Sequence, residues 1–307
     1  MVLQNIVLFH HDPSPYGERI RKCFGLQNIP WKSCLVPMVM PRPAMTILSG
    51  GYRKIPVMQY GADIYCDTRL ISQKINNLFN DLKLFSHGTL QNSALQSQSD
   101  QIFRSGAILS LIENKEYIPP EVVEDRMSFF TFINQKTAEK ELNHHQSQFK
   151  KYAMDIDELL RENDFILGLQ PNWADICCYA NIFMAKGNIP SSFEWMKKLK
   201  NIDSWYQNLM SYGEGIREEI SSQEALEIAK TSTPDLSNIN HQNSDDENMP
   251  QPGDNVKVTP DDYGQISVQG ELICVNLDEI VVTNETKEAG AIAIHFPRLG
   301  FIVEKII

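Results

Sequence analysis

Apolar and polar residues follow two different spacings along the N-terminal part of the chain. Short apolar runs at residues 5–9, 29–38 and 55–60 are typical of strands. Between and after them, at residues 16–24 and 70–79, apolar residues recur every three or four positions, which is typical of one helix face. The pattern therefore predicts strands and helices that alternate.

Gly61-Ala62 separates the third run from "DIYCD" at residues 63–67, and this spacing predicts a hairpin. The predicted order is strand, helix, strand, a long loop, two strands and a helix. That is the order of the thioredoxin-like fold.

The rest of the chain divides by pattern into three further segments. Helical spacing runs through residues 92–229, a polar Pro/Asn/Ser-rich stretch follows, and short alternating runs separated by turn signals complete the chain. We predict a thioredoxin-like domain at 1–85, an all-helical domain at 90–230, a flexible linker at 231–254 and a small β module at 255–307. So small a module buries little surface alone, so we expect it to pack on the main body or on a second subunit.

Composition indicates a globular protein, since 42% of the 307 residues are hydrophobic and 22% are charged. No apolar run is long enough to cross a membrane as a helix, and the first residues lack the basic lead and cleavage site of a signal peptide. These observations predict a cytoplasmic protein without a membrane partner.

The net charge of −11 is unevenly distributed. Residues 1–90 hold ten Lys/Arg and five Asp/Glu, whereas the remainder holds eighteen against thirty-four. The basic first part suits a small anionic ligand, and the acidic whole argues against nucleic acid as a partner.

The six cysteines form no Cys-x-x-Cys pair, and no His/Cys cluster has the spacing of a zinc site. We therefore predict buried free thiols and no metal centre.

Four motifs occur in order along the chain: "SPYGERIRKCFGLQNIPW", "KIPVMQ", "YCDTRLI" and "NWADICCYA". Over about residues 4–229 the chain resembles the cytosolic glutathione transferase superfamily. Its first motif looks most like the omega and related classes, in which a cysteine often stands where this chain has Ser14. The resemblance implies a thioredoxin-like domain followed by a helical domain, glutathione as co-substrate, a homodimer and a role in detoxification.

Ser14 lies where a strand gives way to a helix, and the N–H groups and dipole of a helix start stabilise an anion there. By resemblance, its hydroxyl would bind the glutathione thiolate and so lower the thiol pKa. Tyr16 is the alternative donor. Serine cannot form the mixed disulfide that a cysteine would form. The alternative interpretation makes Ser14 only an N-cap, with Pro15 at the first helical position.

By the same resemblance, Pro56 is cis and Ile55 binds the cysteinyl part of glutathione through its backbone; a trans bond opening a strand is the alternative. Asp67 would bind the γ-glutamyl ammonium and Thr68 the neighbouring carboxylate, although a plain capped helix start also fits. The set is completed by two cations that would meet the glycine carboxylate or remain solvated, namely Arg42 and Lys54.

The sequence leaves three functions open. The leading prediction is an enzyme that binds glutathione and activates its thiol for attack on a small electrophile. A glutathione-dependent isomerase or dehalogenase is the second, and a non-catalytic interaction protein is the third. One sequence does not identify the second substrate.

Overall fold

The computed structural model describes residues 6–79, 81–237 and 249–306. They form two compact units. The sheet unit is built from the described residues of Met1–Asp12, Pro30–Lys74 and Ile216–Ile307. The helical unit is built from those of Pro13–Ile29 and Ile75–Gly215.

Among the described residues the strands are β1 (Ile6–His10), β2 (Pro30–Leu35), β3 (Val57–Tyr60), β4 (Asp63–Cys66), β5 (Ile216–Glu219), β6 (Asn255–Pro260), β7 (Val268–Val275), β8 (Glu279–Thr286), β9 (Gly290–Pro297) and β10 (Phe301–Lys305). The α-helices are α1 (Pro15–Leu26), α2 (Pro43–Ser49), α3 (Thr68–Leu78), α4 (Thr89–Glu113), α5 (Pro120–Phe129), α6 (Leu142–Leu159), α7 (Trp173–Asn188), α8 (Phe193–Met196), α9 (Lys200–Ser211) and α10 (Ser222–Lys230).

All these strands join one sheet, in the order β10-β6-β7-β8-β9-β4-β3-β1-β2-β5. β1 lies inside it, parallel to β2 and antiparallel to β3, and all five of its residues are buried. Burial on both faces explains why its sequence is a continuous apolar run rather than an alternating one.

The C-terminal strands extend the sheet through β9, which runs parallel to β4 with Ile64 opposite Ile294. Both side chains are fully buried in one core with Val57 and Leu226 of α10. Burying each such side chain contributes about 1.5–3 kcal/mol. The alternating runs after residue 254 therefore form strands, as predicted, and these strands pack on the main body, which is one of the two partners expected.

The helical unit packs α4 against α6 and α7, and α1 against α7. Gly106 of α4 allows one close approach, because a Cβ there would lie 2.2 Å from the Met184 Cε and 3.0 Å from a Phe149 ring atom. α7 begins with a capping box formed by Asn172 and Asp175, which have the side-chain types and the three-residue spacing that such a box requires. The predicted fold class, a glutathione transferase fold followed by strands, is confirmed.

Two elements differ from the prediction. The long loop before β3 contains α2, which is only seven residues long and begins beside two prolines, so it shows little periodicity. The stretch predicted as helical contains β5, a polar edge strand whose Ile216 pairs with Pro30 of β2. Its extended form comes from this pairing, not from an apolar pattern.

The core of the predicted linker, residues 238–248, lies outside the described residues. Its described flanks are attached to the sheet unit. The Asp235 N–H donates to Asp63 Oδ2 at 2.9 Å, and the Gly253 N–H donates to the Leu272 carbonyl at 2.8 Å.

Candidate functional site

Ser14 is the N-cap of α1. Its Oγ accepts a hydrogen bond from the Gly17 N–H at 3.1 Å, and its carbonyl accepts one from the Glu18 N–H at 2.9 Å. Pro15 occupies the first turn, where its missing N–H costs nothing. The Ser14 side chain is half-buried and its hydroxyl hydrogen is not used by the capping bond, so capping leaves a donor for an anion.

Tyr16 belongs to a polar network within the helical unit. Its hydroxyl donates to Asp100 Oδ1 at 3.3 Å, and the Arg19 guanidinium lies 4.5 Å from the centre of its ring. Arg19 Nη1 is 2.7 Å from Asp100 Oδ1, and Nη2 donates to Ser99 Oγ. Burial alone would lower the pKa of Arg19, but its interactions with Asp100, Cys177 and Tyr16 together outweigh burial and raise that pKa. The hydroxyl of Tyr16 thus already donates its hydrogen to the Asp100 carboxylate.

The Ile55–Pro56 peptide bond is cis, as the motif predicts. Pro56 is buried and Ile55 is half-buried immediately before β3. This turn lies in the sheet unit, at the start of the β3–β4 hairpin.

Asp67 and Thr68 lie at the same end of that hairpin as Pro56. Val57 and Cys66 are paired across it, so the residue before one and the residue after the other are neighbours. The structure thus brings together the cis-proline turn and the acid–hydroxyl pair, which are separated by ten residues of sequence.

Asp67 has an unusual backbone, with φ of +73°. Asp and Asn tolerate this left-handed region better than other residues with a Cβ. Its Oδ1 accepts from the Arg69 N–H at 2.8 Å, and its carbonyl accepts from the Ile71 N–H at 3.0 Å. Thr68, the first residue of α3, is 5% exposed. A left-handed acidic residue at a helix start is a local feature that structures often keep at functional sites.

Arg42 is buried, and its guanidinium holds the segment around it together. Nε donates to the Pro37 carbonyl at 2.8 Å, Nη1 to the Arg53 carbonyl and Nη2 to the Met38 carbonyl, both at 3.1 Å. Nη2 also lies 3.2 Å from His11 Nε2. A ligand carboxylate would have to compete with these bonds.

Lys54 is engaged by two residues that the sequence places only in a turn. Its ammonium forms an ion pair with Asp262 and lies 4.4 Å from the centre of the Tyr263 ring. Both partners lie between β6 and β7. Sequence reasoning missed them because Asp262 lies 208 residues from Lys54, and "PDDYG" at residues 260–264 carries only a turn signal.

Tyr52 is a third residue that the sequence did not single out. Its ring is 2% exposed, and its Oη is buried without a hydrogen-bond partner among the described residues. Burial raises the pKa of Tyr52, and the charges of Asp67 and Asp262 raise it further. Its phenol is therefore neutral and lies near both carboxylates.

All six cysteines are buried and unpaired with one another, which confirms the prediction of free thiols. Among the described residues, no group of three or more His, Cys, Asp or Glu side chains could hold a metal ion. No helix of the described ranges is long and apolar enough to cross a membrane. Of the eight predicted site residues, Ser14 and Tyr16 belong to the helical unit and the other six to the sheet unit.

Comparison with known proteins agrees with this fold. Residues 8–83 match the protein-family model described as glutathione S-transferase, N-terminal domain. A GST-like protein from Pseudomonas syringae has 26% sequence identity and a TM-score of 0.80, over 98% of this chain and 99% of that one. No curated protein matches the chain.

Two further solved structures share the fold alone. A glutathione S-transferase from Methylobacillus flagellatus with glutathione bound has 17% identity and a TM-score of 0.50, over 67% of this chain and 95% of that one. One from Methylobacterium radiotolerans in complex with glutathione sulfonate has 16% identity and a TM-score of 0.52, over 71% and 98% of the two chains. Residues 8–83 therefore match a glutathione S-transferase N-terminal domain, and the chain shares its fold along its whole length with a GST-like protein.

Proposed function

We propose that the protein binds glutathione and activates its thiol for attack on a small electrophile. The observation that carries the proposal is the common end of the β3–β4 hairpin, where cis Pro56 and the Asp67–Thr68 pair lie together. Two of the solved relatives were crystallised with glutathione or its sulfonate, which supports this ligand.

Each residue has a role that matches its chemistry. The backbone of Ile55 pairs with the cysteinyl part of glutathione, as one strand pairs with another. The Asp67 carboxylate binds the γ-glutamyl ammonium, and the hydroxyl and N–H of Thr68 bind the adjacent carboxylate at the N-terminus of α3.

Ser14 donates its hydroxyl hydrogen to the thiolate while its oxygen continues to cap α1. The bond stabilises the anion and lowers the thiol pKa, which raises the nucleophilic fraction near neutral pH. Tyr16 is the secondary donor, since it would first have to leave Asp100. Because Ser14 has no thiol, no mixed disulfide forms at this position.

The proposal includes a homodimer in the cytoplasm with a role in detoxification, all three resting on the family likeness. Isomerisation and dehalogenation use the same activated thiol, so the choice among them depends on the second substrate.

Calorimetry with glutathione and a conjugation assay with a general aromatic electrophile test the proposal. We expect binding at millimolar glutathione or below and thiol consumption faster than in buffer. If the wild-type protein shows no heat of binding at millimolar glutathione, the proposed function is wrong. Binding without conjugation, isomerisation or dehalogenation would point to the non-catalytic alternative.

A further inference from the structure

The strands after β5 bring an acidic and an aromatic side chain to Lys54. Asp262 and Tyr263 lie in the loop between β6 and β7, outside the residues that match the family model. β6 pairs with both β7 and β10, and the Asp261 N–H donates to the Gly300 carbonyl at 3.0 Å. The sheet therefore fixes where the loop begins, so the contact with Lys54 is built into the fold.

Lys54 is a nearly buried cation whose charge is already balanced. Its side chain is 13% exposed, against 38% for that of Asp262, and its ammonium also lies on the face of the Tyr263 ring. Because the Asp262 carboxylate already neutralises the Lys54 ammonium, that ammonium attracts a second carboxylate only weakly. A ligand that brings a carboxylate to this place would put two anions on one cation.

The other candidate cation does not replace it. The three nitrogens of the Arg42 guanidinium already donate to the carbonyls of Pro37, Met38 and Arg53. Asp67 is a second anion of this neighbourhood, since the charges of Asp67 and Asp262 both act on the buried phenol of Tyr52. The electrostatics near Lys54 therefore disfavour a further anion.

We propose that Asp262 and Tyr263 are specificity-determining residues of the ligand site, and that they select γ-glutamyl peptide thiols whose terminal carboxylate is masked as an ester or amide over free glutathione. This inference rests on the proposed function and deepens it. A neutral end avoids repulsion by Asp262, and an end that carries an amine gains a partner in it.

Calorimetry of the full chain with glutathione and with its glycyl monoethyl ester tests the inference. The readout is the ratio of the two dissociation constants, which cancels contacts that the ligands share. Asp262→Asn removes the charge that faces Lys54. Asp261→Asn removes the same charge one residue earlier, at an exposed position, and serves as the matched control.

We expect the wild-type protein to bind the ester at least as tightly as the free acid. Asp262→Asn should move the ratio about fivefold towards the free acid, the size of one screened ion pair, while Asp261→Asn leaves it unchanged. Lys54→Gln should move it the other way, because Asp262 then repels the free acid without compensation. This second variant decides the matter if Asp262→Asn does not fold.

A wild-type protein that prefers the free acid, or ratios that are the same in all four proteins, would overturn the inference while leaving glutathione binding intact. Equal shifts in Asp261→Asn and Asp262→Asn would overturn it too, since the effect would then be one of overall charge. If neither ligand binds at millimolar concentration, the proposed function itself is wrong and the inference with it.

Discussion

His295 and Asp63 join the C-terminal strands to the thioredoxin-like strands through a buried ionic hydrogen bond. His295 Nε2 is 3.1 Å from Asp63 Oδ1, where β9 runs beside β4, and the side chains of both residues are 3% exposed. Nδ1 is 3.1 Å from Glu279 Oε2, and the ring stacks on Tyr65 at 4.4 Å. Both ring nitrogens thus face carboxylates, which favours the doubly protonated imidazolium.

This arrangement predicts a loss of stability at alkaline pH. Burial lowers the pKa of His295, but the hydrogen bonds and charges of Asp63 and Glu279 outweigh it and raise that pKa. Because the folded pKa lies above the unfolded value of about 6.5, the stabilisation is complete below that value and is lost as pH rises through the folded pKa. Urea unfolding at several pH values measures it.

His295→Gln should reduce the free energy of unfolding by about 3 kcal/mol at about pH 6, because it leaves two carboxylates without their cation. The difference from wild type should shrink at about pH 9. His144→Gln, at an exposed position of α6, should leave both the free energy of unfolding and its dependence on pH unchanged. A constant difference at all pH values would show that His295 acts through packing alone.

A second prediction concerns the core shared by β4 and β9. Ile294→Ala should lower the free energy of unfolding by about 3 kcal/mol, because Ile294 is fully buried opposite Ile64. Ile302→Ala in β10 should cost less than about 1 kcal/mol, since Ile302 is 48% exposed. Denaturant unfolding compares the two, and equal costs would contradict a shared core.

Removal of residues 255–307 should prevent the remaining sheet unit from folding stably. The deletion takes away the strand that pairs with β4 and uncovers fully buried side chains such as Ile64, at about 1.5–3 kcal/mol each. We expect aggregation or loss of a cooperative thermal transition. A truncated chain that unfolds with the wild-type midpoint would show that the strands are a separable module.

Asp175, the acidic member of the α7 capping box, should be a major determinant of stability. Asp175 Oδ1 accepts from the Ile166 N–H at 2.8 Å and from Trp205 Nε1 at 2.9 Å, all of them buried. Asp175→Ala leaves these donors unsatisfied, so we expect a loss of about 3 kcal/mol. Glu224→Ala, in the exposed capping box of α10, should cost about 1 kcal/mol. Thermal unfolding that ranks the two the other way would contradict this account.

Asp67 offers a test of ligand binding that preserves the backbone. Asn tolerates a φ of +73° and still offers an oxygen to the Arg69 N–H, so Asp67→Asn should fold normally. Loss of the charge should weaken glutathione binding about tenfold, as calorimetry would show. Asp81→Asn, an exposed charge change, is the control. Equal affinities in all three proteins would remove Asp67 from the site.

The sequence predicts those parts of the structure that depend on local pattern. Strand β1, helix α1 with its Ser14 cap and the capping box of α7 follow from apolar spacing and cap chemistry over a few residues. The cis bond at Pro56 is different, because only the family motif predicts it.

The rest depends on contacts that are distant in sequence. β5 is polar and becomes a strand only because β2 lies beside it. The sequence around "PDDYG" does not show that Asp262 pairs with Lys54. Likewise, "AIAIHF" at residues 291–296 does not show that His295 contacts Asp63. The pairing of β9 with β4 creates both the buried ion pair and the shared core.

The ionisation of glutathione bound to the protein tests the central claim most directly. The thiolate absorbs in the ultraviolet, so a pH titration of the complex gives the pKa of the bound thiol for wild type, Ser14→Ala and Ser221→Ala. Ser221 caps α10 in the same way as Ser14 caps α1, and so controls for the loss of a cap. We predict a bound pKa below the free value of about 8.5 in wild type and Ser221→Ala, and a smaller shift in Ser14→Ala. A bound thiol that ionises at the free value, or an equal shift in all three proteins, would contradict the account.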